Sequence, residues 1–110
     1  MKMISVNNDT VETHIAMGNF FRHRGELDRA IRVHQNLISR DEISNKQEAL
    51  ALLELGTDYL LAGFLERAEG VFLQLLEQTQ HFDTAQQKLF NIYKVTKEWN
   101  KARYLASESS

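Results

Sequence analysis

The 110-residue sequence contains no cysteine and no proline. The first absence excludes disulfides, thiolate metal ligands, iron–sulfur clusters and a cysteine nucleophile, and it fits a reducing compartment. The second removes the residue that most often breaks helices. Average usage of about 5% would place roughly five or six prolines in this length. Glycine is sparse, and its five copies stand singly, so there is no glycine loop to cradle a phosphate. There is also no Ser-centred nucleophile elbow. No apolar run approaches the ~18 residues of a membrane span, so direct membrane insertion is not expected of this segment. Met1-Lys2-Met3-Ile4-Ser5 lacks the apolar stretch of a signal peptide.

The net charge of −2 supplies no long-range attraction to nucleic acid. Charge is nevertheless banded. Residues 1–40 hold six Lys/Arg and four Asp/Glu, residues 41–80 two and eight, and residues 81–110 five and three. Arg22, His23, Arg24, Arg29 and Arg32 form a basic cluster diluted by Glu26 and Asp28, which is expected to be a solvated face. His14, His23, His34 and His81 are never three or four residues apart. No metal site is expected, because metal ligands must converge; His34 is expected to pack between helices. No catalytic constellation is visible, so a non-enzyme is expected.

What the sequence does contain is a repeat. Gly18 to Ile38 overlays Gly56 to Leu76 without a gap, with identities at Gly18/Gly56, Gly25/Gly63, Leu27/Leu65, Arg29/Arg67, Ala30/Ala68, Val33/Val71 and Leu37/Leu75. A weaker third copy sets Tyr93, Trp99, Lys101, Ala102 and Leu105 on Tyr59, Leu65, Arg67, Ala68 and Val71. The steps are 38 and 34 residues. Apolar spacing such as Leu52, Leu55, Tyr59 and Ala62 predicts helices. Six are expected, near 10–23, 26–40, 45–61, 64–79, 84–96 and 98–107, and no sheet. Gly25 and Gly63 should end the first helix of each pair in the left-handed conformation; Lys97 stands there in the third copy. Asp9–Glu12, Ser44–Gln47 and Asp83–Gln86 have capping-box spacing. Gly18 and Gly56 fall mid-helix, which predicts close helix approach. Ala30, Ala68 and Ala102 are expected opposite them, with Phe21, Tyr59 and Tyr93 filling the space beside.

A 34-residue helix–turn–helix unit with this order of residues resembles the tetratricopeptide repeat. With Val11, Ala49 and Asp83 at position one, the Leu-Gly pair of that pattern falls on Met17-Gly18 and Leu55-Gly56, its aromatic on Phe21, Tyr59 and Tyr93, and its alanine on Ala30, Ala68 and Ala102. The chain departs from the pattern in four ways. His14, Leu52 and Gln86 replace the tryptophan, Phe90 replaces a glycine, the closing proline is absent, and four extra residues lie around Arg40–Ile43. The expected fold is an all-α tetratricopeptide-repeat solenoid of about three antiparallel helix pairs in a right-handed superhelix. Its units would be 11–43, 44–82 and a partial third at 83–110.

The stretch from Gly18 to Gln35, above all Arg29-Ala30-Ile31-Arg32-Val33-His34-Gln35, resembles the repeat region of the lipopolysaccharide assembly protein B family. So do Leu55 to Gly63 and Asn91-Ile92-Tyr93-Lys94. The resemblance implies a cytoplasmic adaptor array at the inner membrane of Gram-negative bacteria. Members work with a membrane-bound ATP-dependent protease that degrades the deacetylase committing lipid A synthesis, and they also carry a membrane helix and a zinc domain. On that likeness, the chain is expected to be a middle piece of a longer array.

In arrays of this class the first helices line a concave groove, through unit positions five, nine and twelve. Here those are Ile15, Asn19 and Arg22, then Leu53, Thr57 and Leu60, then Gln87, Asn91 and Lys94. The apolar floor and partly basic flanks suit an amphipathic protein or peptide partner with acidic groups. Two alternatives stand beside this. Leu53 and Leu60 pack on neighbouring units and bind nothing, or the apolar ends of the array make the segment a self-associating homo-oligomer. No cofactor is expected.

Overall fold

A proline-free chain with apolar residues at helical spacing has little to interrupt its backbone ladder, and it is helical almost throughout. The computed structural model describes residues 3–78 and 80–109, with side chains from 10 to 78 and 80 to 107. Six helices follow in order: α1 (Met3–His23), α2 (Leu27–Ile38), α3 (Asn45–Ala62), α4 (Leu65–Leu75), α5 (Phe82–Thr96) and α6 (Trp99–Ser109). No strand occurs among the described residues. Consecutive helices pack on one another, and α1 also meets α3. The backbone fills a slab of 52 × 31 × 18 Å, whose thickness is about two helix layers at the usual ~10 Å spacing.

The turns inside the pairs share one geometry. Gly25 N–H donates to the Arg22 carbonyl and Glu26 N–H to the Phe21 carbonyl, both at 2.9 Å. Gly63 and Phe64 repeat this on Leu60 and Tyr59, at 3.1 and 2.9 Å, and Lys97 and Glu98 on Lys94 and Tyr93, at 3.3 and 2.9 Å. This paired bonding is a Schellman cap, which needs a left-handed residue. Gly25 and Gly63 supply φ of 82° and 83°. Lys97 adopts the same turn at φ 61°, so the third pair keeps its turn despite the lost glycine.

Of the two proposed caps whose side chains lie among the described residues, one forms. At Ser44 the hydroxyl accepts from Gln47 N–H and the Gln47 side-chain oxygen accepts from Ser44 N–H, both at 3.1 Å. Asp9 lies inside α1, which begins at Met3 rather than near residue 10; nothing between Ile4 and Thr10 removes a backbone donor. Asp83 falls in the first turn of α5, behind His81, which caps that helix at φ 63°. There its carboxylate faces the positive end of the helix dipole. Helix α4 stops at Leu75, short of the expected 79, because Glu77 and Gln78 N–H groups tighten onto carbonyls three residues back. The extra residues around Arg40–Ile43 lie in the α2–α3 connection.

The main core joins Leu52, Leu55 and Tyr59 of α3 to Ala68, Phe72 and Leu75 of α4. It also takes in Ala85, Leu89, Ile92 and Tyr93 of α5 and Leu105 of α6. A second cluster holds Val11, Ile15, Leu37 and Ala51. Helix α3 contributes to both, which is why its sequence is apolar around most of its circumference.

The mid-helix glycines do mark close approach, and the nearest side chains are rings rather than the expected alanines. A Cβ on Gly56 would lie 2.5 Å from Phe72 Cζ, and one on Gly18 would lie 2.7 and 2.8 Å from carbons of the His34 ring. The facing residues are therefore one turn beyond Ala68 and Ala30. Those two alanines are fully buried, and Ala102 is partly buried. Tyr59 and Tyr93 are buried as expected, while Phe21 is half-exposed and covered by the Arg29 guanidinium 5.5 Å above its ring.

Candidate functional site

Where α1, α2 and α3 meet, the interior is polar. Asp58 and His34 are both fully buried. His34 Nδ1–H donates to Asp58 Oδ2 at 2.5 Å, and His34 Nε2 lies 3.4 Å from the Ile15 carbonyl oxygen. Arg22 of α1 donates to Asp58 Oδ1 at 3.0 Å and to the Glu54 carbonyl at 3.3 Å, and pairs with the Glu54 carboxylate at 2.9 Å. Arg22 is therefore not on a solvated face; its side chain is 13% exposed. A buried carboxylate is tolerable only when its lone pairs are taken, and here the donors come from two other helices. The ion cluster fixes the register of α1 and α2 against α3.

The other members of the basic cluster stay outside. Arg24 bonds Glu26 at 2.9 Å, and Arg29 pairs with Glu26 at 3.2 Å. The hydrogen bond from Arg24 holds the Glu26 carboxyl below its usual range. At the far end, Tyr93 O–H donates to Glu69 at 2.8 Å, and Lys101 reaches the same oxygen at 3.4 Å. Burial, then the Glu69 carboxylate, hold the Tyr93 phenol well above its ordinary value of 10.0. Lys101 also pairs with Glu98 at 3.1 Å, which raises its own pKa.

The nine residues of the expected groove lie on α1, α3 and α5, in three different environments. Ile15 is a core residue and Arg22 is held by Glu54 and Asp58. Leu53 and Leu60 are half-buried against the main core, and the Thr57 hydroxyl donates to the Leu53 carbonyl at 2.9 Å. Asn19 is half-buried, and its Oδ1 is buried without a hydrogen-bond partner. Gln87, Asn91 and Lys94 are exposed. Beside Leu60 and Lys94 stand Leu61 and Val95, which are 62% and 70% exposed. They occupy the same repeat position, 34 residues apart.

Sequence reasoning missed Asp58, Glu54, Leu61 and Val95. The overlay held a signal for the first. Asp58 stands where the other copies have Phe20 and Ile92, and His34 where the second copy has Phe72. Two polar departures from an apolar pattern, in adjoining units, are what a buried pair requires.

Paired antiparallel helices joined by identical caps, stacked through shared core residues, define a helical repeat array of the tetratricopeptide type. No family model matches the chain. Among individual proteins, it is 45% identical over 102 residues to lipopolysaccharide assembly protein B of Escherichia coli strain K12, a match covering 93% of this chain and 26% of that protein. The same figures hold for the O157:H7 protein. The Haemophilus influenzae protein of that name is 39% identical over 97 residues, 88% of this chain and 24% of its own length. Over these residues the chain is homologous to part of the lipopolysaccharide assembly protein B sequences, and it spans about a quarter of the length of these relatives.

Proposed function

We propose that this chain is a non-catalytic module that binds protein or peptide partners in lipopolysaccharide assembly. The names of its relatives support the process. Exposed Leu61 and Val95 at one repeat position carry the binding reading, since large apolar side chains held in water at a repeated place mark a contact surface. The docking face would combine them with Leu53, Leu60, Thr57, Asn19, Gln87, Asn91 and Lys94 along the first helices of the pairs. Ile15 and Arg22 would support it from beneath. The finer reading is an adaptor at the cytoplasmic face of the inner membrane. It would present the deacetylase that commits lipid A synthesis to a membrane-bound ATP-dependent protease.

The test is co-precipitation of the protease and the deacetylase from a Gram-negative lysate, with the parent chain and with Leu53→Lys/Leu60→Lys. The double variant should lose both proteins while its circular dichroism is unchanged. Normal recovery by the folded double variant would sink the groove. A second reading, self-association, is favoured by Trp99 and Tyr104 on α6, which are 52% and 69% exposed. Light scattering that rises in mass with concentration would select it.

A further inference from the structure

We propose that the cleft between α4, α5 and α6 is a second docking site. Its occupant would be an extended peptide segment carrying bulky apolar side chains beside a basic residue. The cleft holds about 650 Å³ and is walled by Leu73, Leu76, Phe82, Tyr104 and Leu105, with Gln86 at its side. It shares no residue with the first-helix face and lies largely on second helices of the pairs.

The repeat supplies an internal control. At the preceding junction, the positions of Leu73, Gln86 and Tyr104 are held by Gln35, Leu52 and Gly70. There Gln35 donates to the Tyr59 hydroxyl at 2.8 Å, and Leu52 is 2% exposed in the core. At the cleft this is reversed. Leu73 and Tyr104 are 44% and 69% exposed, and Gln86 Nε2 is buried with no hydrogen-bond partner. Folding alone favours a polar residue at position 73 and an apolar one at position 86, because water penalises exposed apolar surface and burial penalises an unpaired donor. A bound segment covers the apolar walls, and the Gln86 amide gains a partner on turning out toward it.

The chemistry of the walls selects the occupant. The unpaired Gln86 donor asks for a carbonyl, and an extended segment has free carbonyls along its length, whereas a helix frees only its last four. The apolar walls ask for large side chains. Glu69 is engaged by Tyr93 and Lys101, but Glu77 holds an exposed carboxylate at the cleft. Of the charged residues lining the cleft, Glu69 and Lys101 pair with each other, which leaves Glu77 as the net charge of the walls, so a basic flank is attracted and an acidic one repelled.

The experiment is an amide NMR titration with two blocked pentapeptides, Lys-Leu-Thr-Phe-Lys and Glu-Leu-Thr-Phe-Glu. The basic peptide should shift the Gln86 side-chain amide and the backbone amides of Leu73 and Tyr104, and bind about tenfold more tightly than the acidic one. Gln86→Leu, which restores the residue of the preceding junction, should raise the melting temperature yet weaken the basic peptide about tenfold. Leu73→Gln/Tyr104→Ala should abolish the shifts with circular dichroism unchanged. Leu53→Lys/Leu60→Lys should bind the peptide normally, which separates this site from the first-helix face. Absence of shifts at millimolar peptide, equal affinity for the two peptides, or unchanged affinity in Gln86→Leu would each overturn the proposal. Shifts of Leu73 and Tyr104 with protein concentration alone would assign the cleft to a second copy, and overturn it equally.

Discussion

Removing the Asp58 carboxylate should be among the most damaging single changes the chain can suffer. Asp58→Leu keeps the branched outline with bulkier methyls and deletes the acceptor shared by Arg22 and His34. Arg22 retains Glu54 at 2.9 Å, so its charge is only partly stranded. His34 is fully buried and retains only the long 3.4 Å approach to the Ile15 carbonyl. Breaking a buried ion cluster by removing one partner costs about 3–5 kcal/mol. A chain of this length gains about 0.23 kcal/mol per degree in unfolding entropy, so the melting temperature should fall by roughly 13–22 °C. His34→Phe installs against Gly18 the ring that Phe72 places against Gly56 and removes the stranded imidazole. The double variant should therefore recover part of the loss, with a coupling of about 1–3 kcal/mol. Urea unfolding followed by circular dichroism on the parent, both single variants and the double variant measures this. A loss below about 1 kcal/mol in Asp58→Leu, or strictly additive costs, would refute the claim that the cluster locks the three helices.

Other expectations rest on single contacts. Gly56→Leu should cost several kcal/mol, about 3 or more, because even its Cβ meets the buried Phe72 ring; an unchanged melting temperature would contradict the assigned contact. Lys97→Gly should stabilise by about 0.5–1 kcal/mol, since the left-handed cap strains a residue with a Cβ; calorimetry showing a lower melting temperature would refute it. The Tyr93 phenol has a folded pKa raised above 10.0, so its stabilising share is whole below that pH and is lost as pH rises through the raised value. The urea midpoint should fall above pH 10 and do so less steeply in Tyr93→Phe; identical slopes would remove Tyr93 from the explanation.

The sequence by itself determined the helices, their pairing and the turns between them. These depend on local chemistry: apolar residues at helical spacing, a glycine free to take positive φ, and the Ser44–Gln47 box. It also showed, through Gly18 and Gly56, that something must come close. What came close was decided by tertiary structure, because the facing side chain is set by helix rotation and crossing, and one turn separates Ala30 from His34. The same holds for charge. Arg22 looked like one more basic surface residue beside Arg24 and Arg29, since neighbours in sequence carry no information about Asp58, 36 residues away. On the first-helix face, sequence spacing chose the helices, but burial decided that Ile15 and Arg22 belong to the interior while Leu61 and Val95 stand in water. The repeat names equivalent positions; only packing of unlike neighbours decides which of them a partner can reach.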